Sequence, residues 1–182
     1  MISDDGTIKH FNTIAKNLMS DSIESVQLAP HGVVTDIYPA EGNEAGKIDL
    51  LHDKDRGEIS CYARDNHTVI TQGPFELKQG DYGIAVRNPV YLNDENGQEY
   101  FWGFTIVILR VPEIFSDSIS ALSNFGYEYK LSKTDTPWSD TYEVVCQSDG
   151  NLTNPVSYDF TIGEENWRFE VMPVSGWRNA KL

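Results

Sequence analysis

Apolar and non-apolar positions alternate strictly over residues 82–91, which predicts a β-strand in this segment. One face of the strand is apolar and consists of Ile84, Val86 and Val90. The other face carries small side chains and a single guanidinium, from Gly83, Ala85, Arg87 and Pro89. The first face is therefore predicted to be core. The second face predicts a cavity, because missing side chains leave room and one fixed polar group can orient a bound molecule.

The first half of the chain predicts two helices, a hairpin and further strands. Apolar residues at helical spacing predict a short amphipathic helix over residues 7–19. The β-rich runs 23–28 and 33–38 predict a hairpin, and residues 48–65 combine early acidic residues with a helical apolar pattern. Strands are then expected at 69–71, 75–77, 80–92 and 100–111, with a loop at 93–97.

The second half predicts one helix followed by short strands. Pro112 suits the first turn of a helix, and Gly126 suits its end. Four strands are expected after it, at 127–131, 142–147, 157–162 and 167–172, with a hairpin loop at 164–166. The predicted division is an N-terminal helix (1–22), a larger lobe (23–111) and a smaller β-rich lobe (112–182).

The chain is strongly acidic, with 14 basic and 28 acidic side chains and a formal net charge of −14. Such a field repels phosphate backbones, so nucleic acid and anionic membrane surfaces are poor partners. The longest apolar run, 102–109, is about a third of the length that a transmembrane helix needs, and no leader pattern follows Met1. We therefore expect a soluble domain, attached to a membrane only through helices outside these residues.

The chemistry-bearing residues outside the predicted strand give no sign of a metal or cofactor. Cys61 and Cys146 lack CxxC spacing, which predicts buried thiols or one optional disulfide and no zinc site. His52 lies near two acids, Asp53 and Asp55, but solvated acids at a helix end explain this cluster better than a metal. No cofactor and no catalytic residue is predicted.

The order of elements predicts the fold class. A hairpin, a helix and three antiparallel strands follow one another as in a PAS-like cup, in which a curved sheet and its covering helix enclose a small cavity. The expected class is α+β: a PAS-like mixed α/β sensor with an antiparallel sheet and covering helices, followed by a smaller β lobe.

Several segments resemble one known family. They are SVQLAPHGVVTDIYP, GNEAGKIDLLHDKDR, ITQGPFEL, QGDYGIAVRNPVY and YFWGFTIVI, in this order. Together they resemble the CHASE domain, the extracytoplasmic sensory module of histidine kinases and nucleotide cyclases. The later ENWRFEVMPVSGW resembles a segment that follows in bacterial members coupled to diguanylate cyclases. The resemblance covers about residues 11–177, and five motifs in series make it specific.

The resemblance implies a periplasmic or cell-surface domain of a membrane receptor that controls a cytoplasmic diguanylate cyclase (GGDEF) or histidine kinase. It implies a membrane helix on either side, a stalk helix that is mostly missing here, and a homodimer in the full-length receptor. The larger lobe would be membrane-distal and would bind a small molecule, and the smaller lobe would be membrane-proximal.

The resemblance also places candidate ligand-binding residues. The adenine-binding aspartate of plant cytokinin receptors falls on Asp49, a pocket leucine falls on Leu77 and a pocket threonine falls on Arg87. A guanidinium in place of a hydroxyl favours an anionic or zwitterionic ligand and makes cytokinin a poor guess. The full candidate set is Arg87, Asp49, Leu77, Gly83, Ala85, Pro89, Thr71 and Phe104.

Three points stay open at this stage. Arg87 is either the ligand anchor or a surface arginine on a wet sheet face. Asp49 is either a ligand contact, a partner of Arg87 or a helix N-cap. Trp102 and Phe104 share one face of a strand, opposite Phe101, and the pattern does not decide which face lines the cavity.

Two other classes of function compete with a sensor. A secreted carbohydrate-active enzyme would use the many acids, but no nucleophile elbow, metal motif or phosphate loop is visible. A protein-binding or adhesion module would present a flat apolar patch instead of a cavity.

Overall fold

The computed structural model describes residues 8–40, 46, 48–78 and 80–177, which form an α+β fold with two antiparallel sheets. In the first half of the described chain the elements are α1 (Phe11–Leu18), β1 (Ile23–Pro30), β2 (Asp36–Tyr38), α2 (Gly57–Asn66), β3 (Ile70–Glu76), β4 (Tyr82–Asn93) and β5 (Glu99–Val111). In the second half they are a 3₁₀ turn (Glu113–Phe115), α3 (Ser116–Asn124), β6 (Tyr127–Thr134), β7 (Tyr142–Gln147), β8 (Val156–Ile162) and β9 (Glu165–Pro173).

The first sheet has the strand order β2-β1-β5-β4-β3 and the second has the order β7-β6-β9-β8. Strands β4 and β5 pair from Tyr82 opposite Val111 to Asn93 opposite Glu99, so the predicted loop at 93–97 does join an antiparallel pair. The hairpin of β1 and β2 is also present, with Gln27 opposite Ile37. The predicted α+β, PAS-like fold is confirmed.

Helix α1 covers one face of the first sheet. Its buried residues Phe11 and Ala15 pack against Val26, Leu28 and Trp102. The start of the predicted helix at residue 7 lies outside the described residues, and the helix observed begins at Phe11. The N-terminal unit predicted for residues 1–22 stays a prediction.

Helix α2 covers the opposite face, where Ile59 and Ala63 join a cluster with Ile70, Phe104 and Ile106. Each apolar side chain buried in this way contributes about 1.5–3 kcal/mol relative to leaving it exposed. The predicted cup with a covering helix is therefore a packed structure and not only an order of elements.

The helix predicted over 48–65 is shorter than expected, because α2 begins at Gly57. Asp49 forms an antiparallel bridge with Val33. The Asp53 carboxylate accepts the backbone N–H groups of Asp55 and Arg56, both at 3.0 Å, so this segment folds as turns. These local hydrogen bonds compete with helix formation ahead of Gly57.

Two of the predicted strands, 69–71 and 75–77, are parts of a single strand, β3. Its pairing with β4 shifts between Gln72 and Phe75, where Gly73 and Pro74 form a bulge. A bulge keeps the strand continuous but bends it. This bend turns one edge of the first sheet toward the cavity described below.

The two sheets share a buried cluster. Ile84 and Val111 of the first sheet pack against Leu131, Val145 and Trp167 of the second. Ile84 thus belongs to core as predicted, although its neighbours come from the other lobe. The boundary predicted at residue 111 lies between the two sheets in sequence.

Candidate ligand-binding site

A cavity of about 530 Å³ lies between the first sheet, the turns before α2 and one end of the second sheet. Apolar side chains form much of its wall: Val34, Ile48, Leu50, Ala85, Ile106 and Ile108. Polar side chains converge on the same space: Ser25, Gln27, Gln72 and Arg87. Further charged side chains also line it: Glu24, Asp55, Arg56, Glu76, Lys78, Asp135 and Glu143. A concave site with an apolar wall and fixed polar groups is typical of small-molecule binding.

The charged centre of this cavity is Arg87 on β4, which is 3% exposed. Its Nη2 donates to Gln72 Oε1 at 2.5 Å. Its Nε and Nη1 have no hydrogen-bond partner among the described residues. Burial, reinforced by the nearby Arg56 guanidinium, lowers the pKa of Arg87 to about 10. The group therefore stays cationic at neutral pH, with two buried nitrogens that lack a partner among the described residues.

Gln72 fixes the orientation of this guanidinium. Its Nε2 donates to the backbone oxygen of Asp55 at 3.0 Å, while its Oε1 accepts from Arg87. The side chain thus links β3, β4 and the turn before α2. Because both ends of the amide are engaged, Arg87 is held toward the cavity before any ligand arrives.

The strand that forms the cavity's edge, β3, is fastened to the second sheet by buried charges. Glu165 of β9 is fully buried and accepts the backbone N–H of Thr71 at 2.8 Å and its hydroxyl at 2.6 Å. Lys133 of β6 is also fully buried, and its Nζ donates to the Thr134 oxygen at 2.7 Å and to the Gly73 oxygen at 3.5 Å. The bulge that borders the cavity is therefore held from the other lobe.

Burial sets the pKa of both charged groups. It raises the pKa of the Glu165 carboxyl, against the bonds from Thr71 and the attraction of Lys133. It lowers the pKa of the Lys133 ammonium, against the attraction of Glu165. Buried charges of opposite sign near each other reduce one another's desolvation cost.

The comparison with protein families adds to this geometry. The family described as the CHASE domain matches residues 9–141. This chain belongs to the CHASE domain family. It is therefore a sensory, non-catalytic and extracytoplasmic domain, which favours the sensor over the hydrolase considered from sequence.

Solved structures of receptor domains share the fold of this CHASE domain. An extracellular ligand binding receptor from Desulfohalobium retbaense DSM5692 aligns with a TM-score of 0.60 at 15% identity, over 91% of this chain and 33% of that chain. The ligand-binding domain of the amino acid chemoreceptor PctC of Pseudomonas aeruginosa PAO1, in complex with GABA, aligns with a TM-score of 0.53 at 14% identity. That alignment covers 82% of this chain and 74% of that chain. No curated protein matches the sequence.

The CHASE domain spans only about a third of the length of the Desulfohalobium receptor. None of the helices in the described ranges has the length and apolar character that a bilayer crossing requires. Across those same ranges no group of three or more His, Cys, Asp or Glu side chains is arranged to hold a metal ion.

Three of the predicted ligand-binding residues line the cavity: Arg87, Ala85 and Leu77. Gly83 lies behind Leu77, and a Cβ on Gly83 would meet Leu77 Cδ2 at 2.7 Å. The small residue predicted to leave an empty space thus makes room for Leu77. Arg87 is buried and not a surface arginine, which answers the first open question about its position.

Asp49 is not among the residues that line the cavity, nor does it pair with Arg87. Its Oδ1 accepts the backbone N–H groups of Leu51 at 3.1 Å and His52 at 3.3 Å, and its Oδ2 lies 2.8 Å from His52 Nδ1. The hydrogen bond from the His52 side chain is the largest cause that lowers the pKa of Asp49. The carboxylate thus caps a turn and is not the helix N-cap considered from the sequence, because α2 begins at Gly57 with Arg56 at its N-cap.

Thr71, Pro89 and Phe104 are also absent from the cavity wall. Thr71 is turned to Glu165. Pro89 lies directly across the strand pair from Phe104, and Phe104 is fully buried in the α2 cluster, with its ring centroid 5.0 Å from that of Phe101. Their assignment as ligand contacts stays a prediction that the geometry does not favour.

The predicted shared face of Trp102 and Phe104 is wrong, since Trp102 packs under α1 and Phe104 under α2. The pairing of β4 with β5 shifts beside Trp102, and Gly103 has a φ of 153°. A Cβ on Gly103 would lie 2.2 Å from the Ala29 oxygen, so only glycine fits there. The extra residue of this bulge sends the two aromatic side chains to opposite faces.

Sequence reasoning missed several residues of the cavity wall: Ser25, Gln27, Gln72, Arg56, Asp135 and Glu143. The hairpin pattern places residues 25 and 27 on one strand face, which was an available signal for that pair. Gln72 reaches Arg87 through the bulged register of β3, and Asp135 and Glu143 arrive from the second sheet. Neither relation is visible in a one-dimensional pattern.

A second cavity, of about 710 Å³, lies between α3 and the second sheet. Its wall is apolar and aromatic and includes Ile119, Leu122, Tyr129, Phe160 and Cys146. Both cysteines are free thiols. Burial raises the pKa of the Cys146 thiol to about 11. This cavity has no charged side chain in its wall to orient a polar metabolite.

Proposed function

We propose that this CHASE domain is the ligand-binding module of a membrane receptor and that its polar cavity binds a small anionic or zwitterionic metabolite. The observation that carries the proposal is the buried Arg87 guanidinium, with two nitrogens unpartnered among the described residues. A buried cation without an anionic contact is costly, and an incoming carboxylate relieves that cost.

The form of the anchor favours a carboxylate or a similar planar anion. A guanidinium presents several N–H groups in a fixed fork that matches two oxygens at once. Arg87 uses one Nη2 proton for Gln72, and each of its two-oxygen edges combines Nη2 with one of the unpartnered nitrogens, Nε or Nη1. The apolar wall around it excludes water and strengthens that contact.

The overall charge of −14 does not oppose an acidic ligand in this cavity. Screening limits the reach of exposed charges to about 8–10 Å at physiological salt, whereas a buried cation in direct contact is hardly screened. The related fold that holds GABA, a zwitterion at neutral pH, supports the same class of ligand.

The signal would pass to an output domain outside these residues. Binding shifts an equilibrium between two arrangements only by its difference in affinity for them. We propose a periplasmic or cell-surface position, a membrane anchor through flanking helices, and a homodimeric receptor with a diguanylate cyclase or histidine kinase output. The family and the extracytoplasmic receptor folds support this arrangement.

The test is thermal unfolding of the domain with a panel of amino acids, dicarboxylates, simple carboxylates and nucleosides. A compound present at 100 times its Kd stabilises by about 2.7 kcal/mol, which corresponds to a rise in Tm of about 5–10 °C for a chain of this size. We expect carboxylate-bearing compounds to give the rise and Arg87→Gln to lose it.

Arg64→Gln is the matched control, because Arg64 is a partly exposed arginine whose guanidinium contacts Asp65 at 2.7 Å. It should respond like the wild type. Stabilisation by uncharged nucleosides alone, or a carboxylate response that persists in Arg87→Gln, would refute the proposed anion site.

A further inference from the structure

The polar cavity is not confined to the first sheet, because the second sheet contributes two carboxylates to its wall, Asp135 and Glu143. We infer that these two acids form a cation-binding subsite, so that the ligand is bipolar and spans both sheets. In this arrangement Arg87 binds the ligand's carboxylate and the two acids bind its ammonium. This inference rests on the proposed function and narrows its ligand class.

The pairing of β6 with β7 explains the position of Glu143. It lies directly opposite Lys133 on the neighbouring strand, so the two side chains share a face of the second sheet. Asp135 lies in the bend just past the end of β6 and lines the same cavity. Lys133 reaches the Gly73 oxygen of β3, which fixes this face against the edge of the cavity.

Lys133 attracts both acids electrostatically but donates no hydrogen bond to either of them among the described residues. Its Nζ donates to the backbone oxygens of Thr134 and Gly73. Within the described residues neither Asp135 nor Glu143 forms an ion pair within 4.0 Å. Both side chains are exposed, so they stand at the mouth of the cavity with their oxygens available to a ligand.

The opposite pole is the buried guanidinium. Arg87 is 3% exposed and has two unpartnered nitrogens in the cavity wall. A cavity with a fixed cation deep inside and two carboxylates at its mouth orients a molecule that carries both charges. Because the poles belong to different sheets, such a molecule adds a contact between the lobes beside those of Lys133 and Glu165.

The experiment compares matched pairs of compounds by calorimetric titration. The probes are L-amino acids and ω-amino carboxylates of three to six carbons, each beside the unsubstituted carboxylate of the same length. We expect at least one amino compound to bind about tenfold or more tightly than its partner, as a charge-assisted contact provides. In the double variant Asp135→Asn/Glu143→Gln the ratio of the two affinities should fall to about one.

The control is Asp140→Asn, which removes an exposed acid of the β6–β7 connection that is absent from the cavity wall. It should keep the preference. Equal binding of amino and plain carboxylates by the wild type would overturn the inference, as would a preference unchanged in the double variant or no binding of any amino compound. The inference would also be overturned if only Glu76→Gln abolished the preference for amino compounds, because the ammonium would then bind at the first sheet.

Arg87→Gln separates this inference from the proposed function. Plain carboxylates should bind and should lose affinity in Arg87→Gln if the anion site is correct. If they do so while substitution of Asp135 and Glu143 changes the affinity of no probe, the anion site is supported and the bipolar ligand is refuted. If binding of every probe is indifferent to Arg87, the proposed function fails as well.

Discussion

The two cavities of this CHASE domain have similar volumes, about 530 and 710 Å³, but the wall of the first is polar and charged and the wall of the second is apolar. The smaller one encloses a buried guanidinium held by Gln72, and the larger one is bounded by α3 and the aromatic face of the second sheet. Volume alone would favour the second cavity. The placement of charge favours the first, because a buried cation is maintained only at a cost in stability.

The cavities differ in how their walls are supported. The edge of the polar cavity is fastened to the second sheet by Glu165 and Lys133. Helix α3, in contrast, has no fully buried residue and only half-buried contacts with its sheet. The edge of the polar cavity is therefore in direct hydrogen-bonded contact with the second sheet, whereas α3 lacks such buried polar contacts among the described residues.

The largest expected effect comes from removing the carboxylate that holds the polar cavity's edge. Glu165→Ala leaves the Thr71 N–H and hydroxyl unpaired and removes the largest attraction on the buried Lys133 ammonium, which should destabilise by about 3 kcal/mol. Urea unfolding measures this change. Glu164→Ala, at the neighbouring acid that bonds the Tyr62 hydroxyl at the surface, should cost less than about 1 kcal/mol. Equal losses would contradict a special role for Glu165.

Substitution by a larger side chain should distinguish a position that lines the cavity from one in the packed core beside the first sheet. Ala15→Leu inserts a larger side chain into the packed cluster under α1 and should destabilise by about 1–3 kcal/mol. Ala85→Leu extends into the polar cavity, so its cost should stay below about 1 kcal/mol while ligand stabilisation disappears. Unfolding with and without a stabilising compound tests both. A large loss in Ala85→Leu would mean that the cavity is closed in solution.

The free energy of unfolding should depend on pH because the Glu165 carboxyl is buried in the folded state. Because the pKa of Glu165 is raised in the folded state, the folded protein holds this proton more tightly than the unfolded chain does. Its contribution is present below the unfolded pKa of 4.5 and is lost as pH rises through the folded pKa. The slope is at most about 1.4 kcal/mol per pH unit. The difference between wild type and Glu165→Gln isolates it, and parallel pH curves would contradict it.

A chemical probe tests the apolar cavity without changing its wall. With a pKa of about 11, the Cys146 thiol should react with iodoacetamide at pH 8 about a hundredfold more slowly in the folded domain than in the unfolded chain. Cys61→Ser leaves Cys146 as the reporter, and mass spectrometry follows the adduct. Similar rates in both states would show that this cavity is open to water.

Several features of the fold were predictable because they depend on local patterns. The alternation around Arg87 identified β4, and its apolar face does carry the buried Ile84. Pro112, which predicted the start of a helix, does precede the 3₁₀ turn and α3 that link the two sheets. These features follow from side-chain period and from turn chemistry, which neighbouring residues set.

Asp49 is a residue whose contacts could not be predicted from the local sequence. Motif resemblance placed it at the ligand, and its position before Leu50 and Leu51 also suited a helix N-cap. Its carboxylate instead caps a turn, well ahead of the start of α2 at Gly57. Glu165 shows the converse. It was expected in a hairpin loop at 164–166, and it lies instead in β9 with its side chain fully buried against Thr71.

By itself the sequence determined the elements, the PAS-like order, the family and the guanidinium on a face of small side chains. Only the tertiary structure decided which residues accompany that guanidinium. The bulge at Gly73 and Pro74 sets the register that brings Gln72 to Arg87, and the packing of the second sheet brings Asp135 and Glu143 to the same cavity. Local periods fix which face a residue occupies, but contacts between distant segments depend on register and sheet packing, which many weak interactions set together.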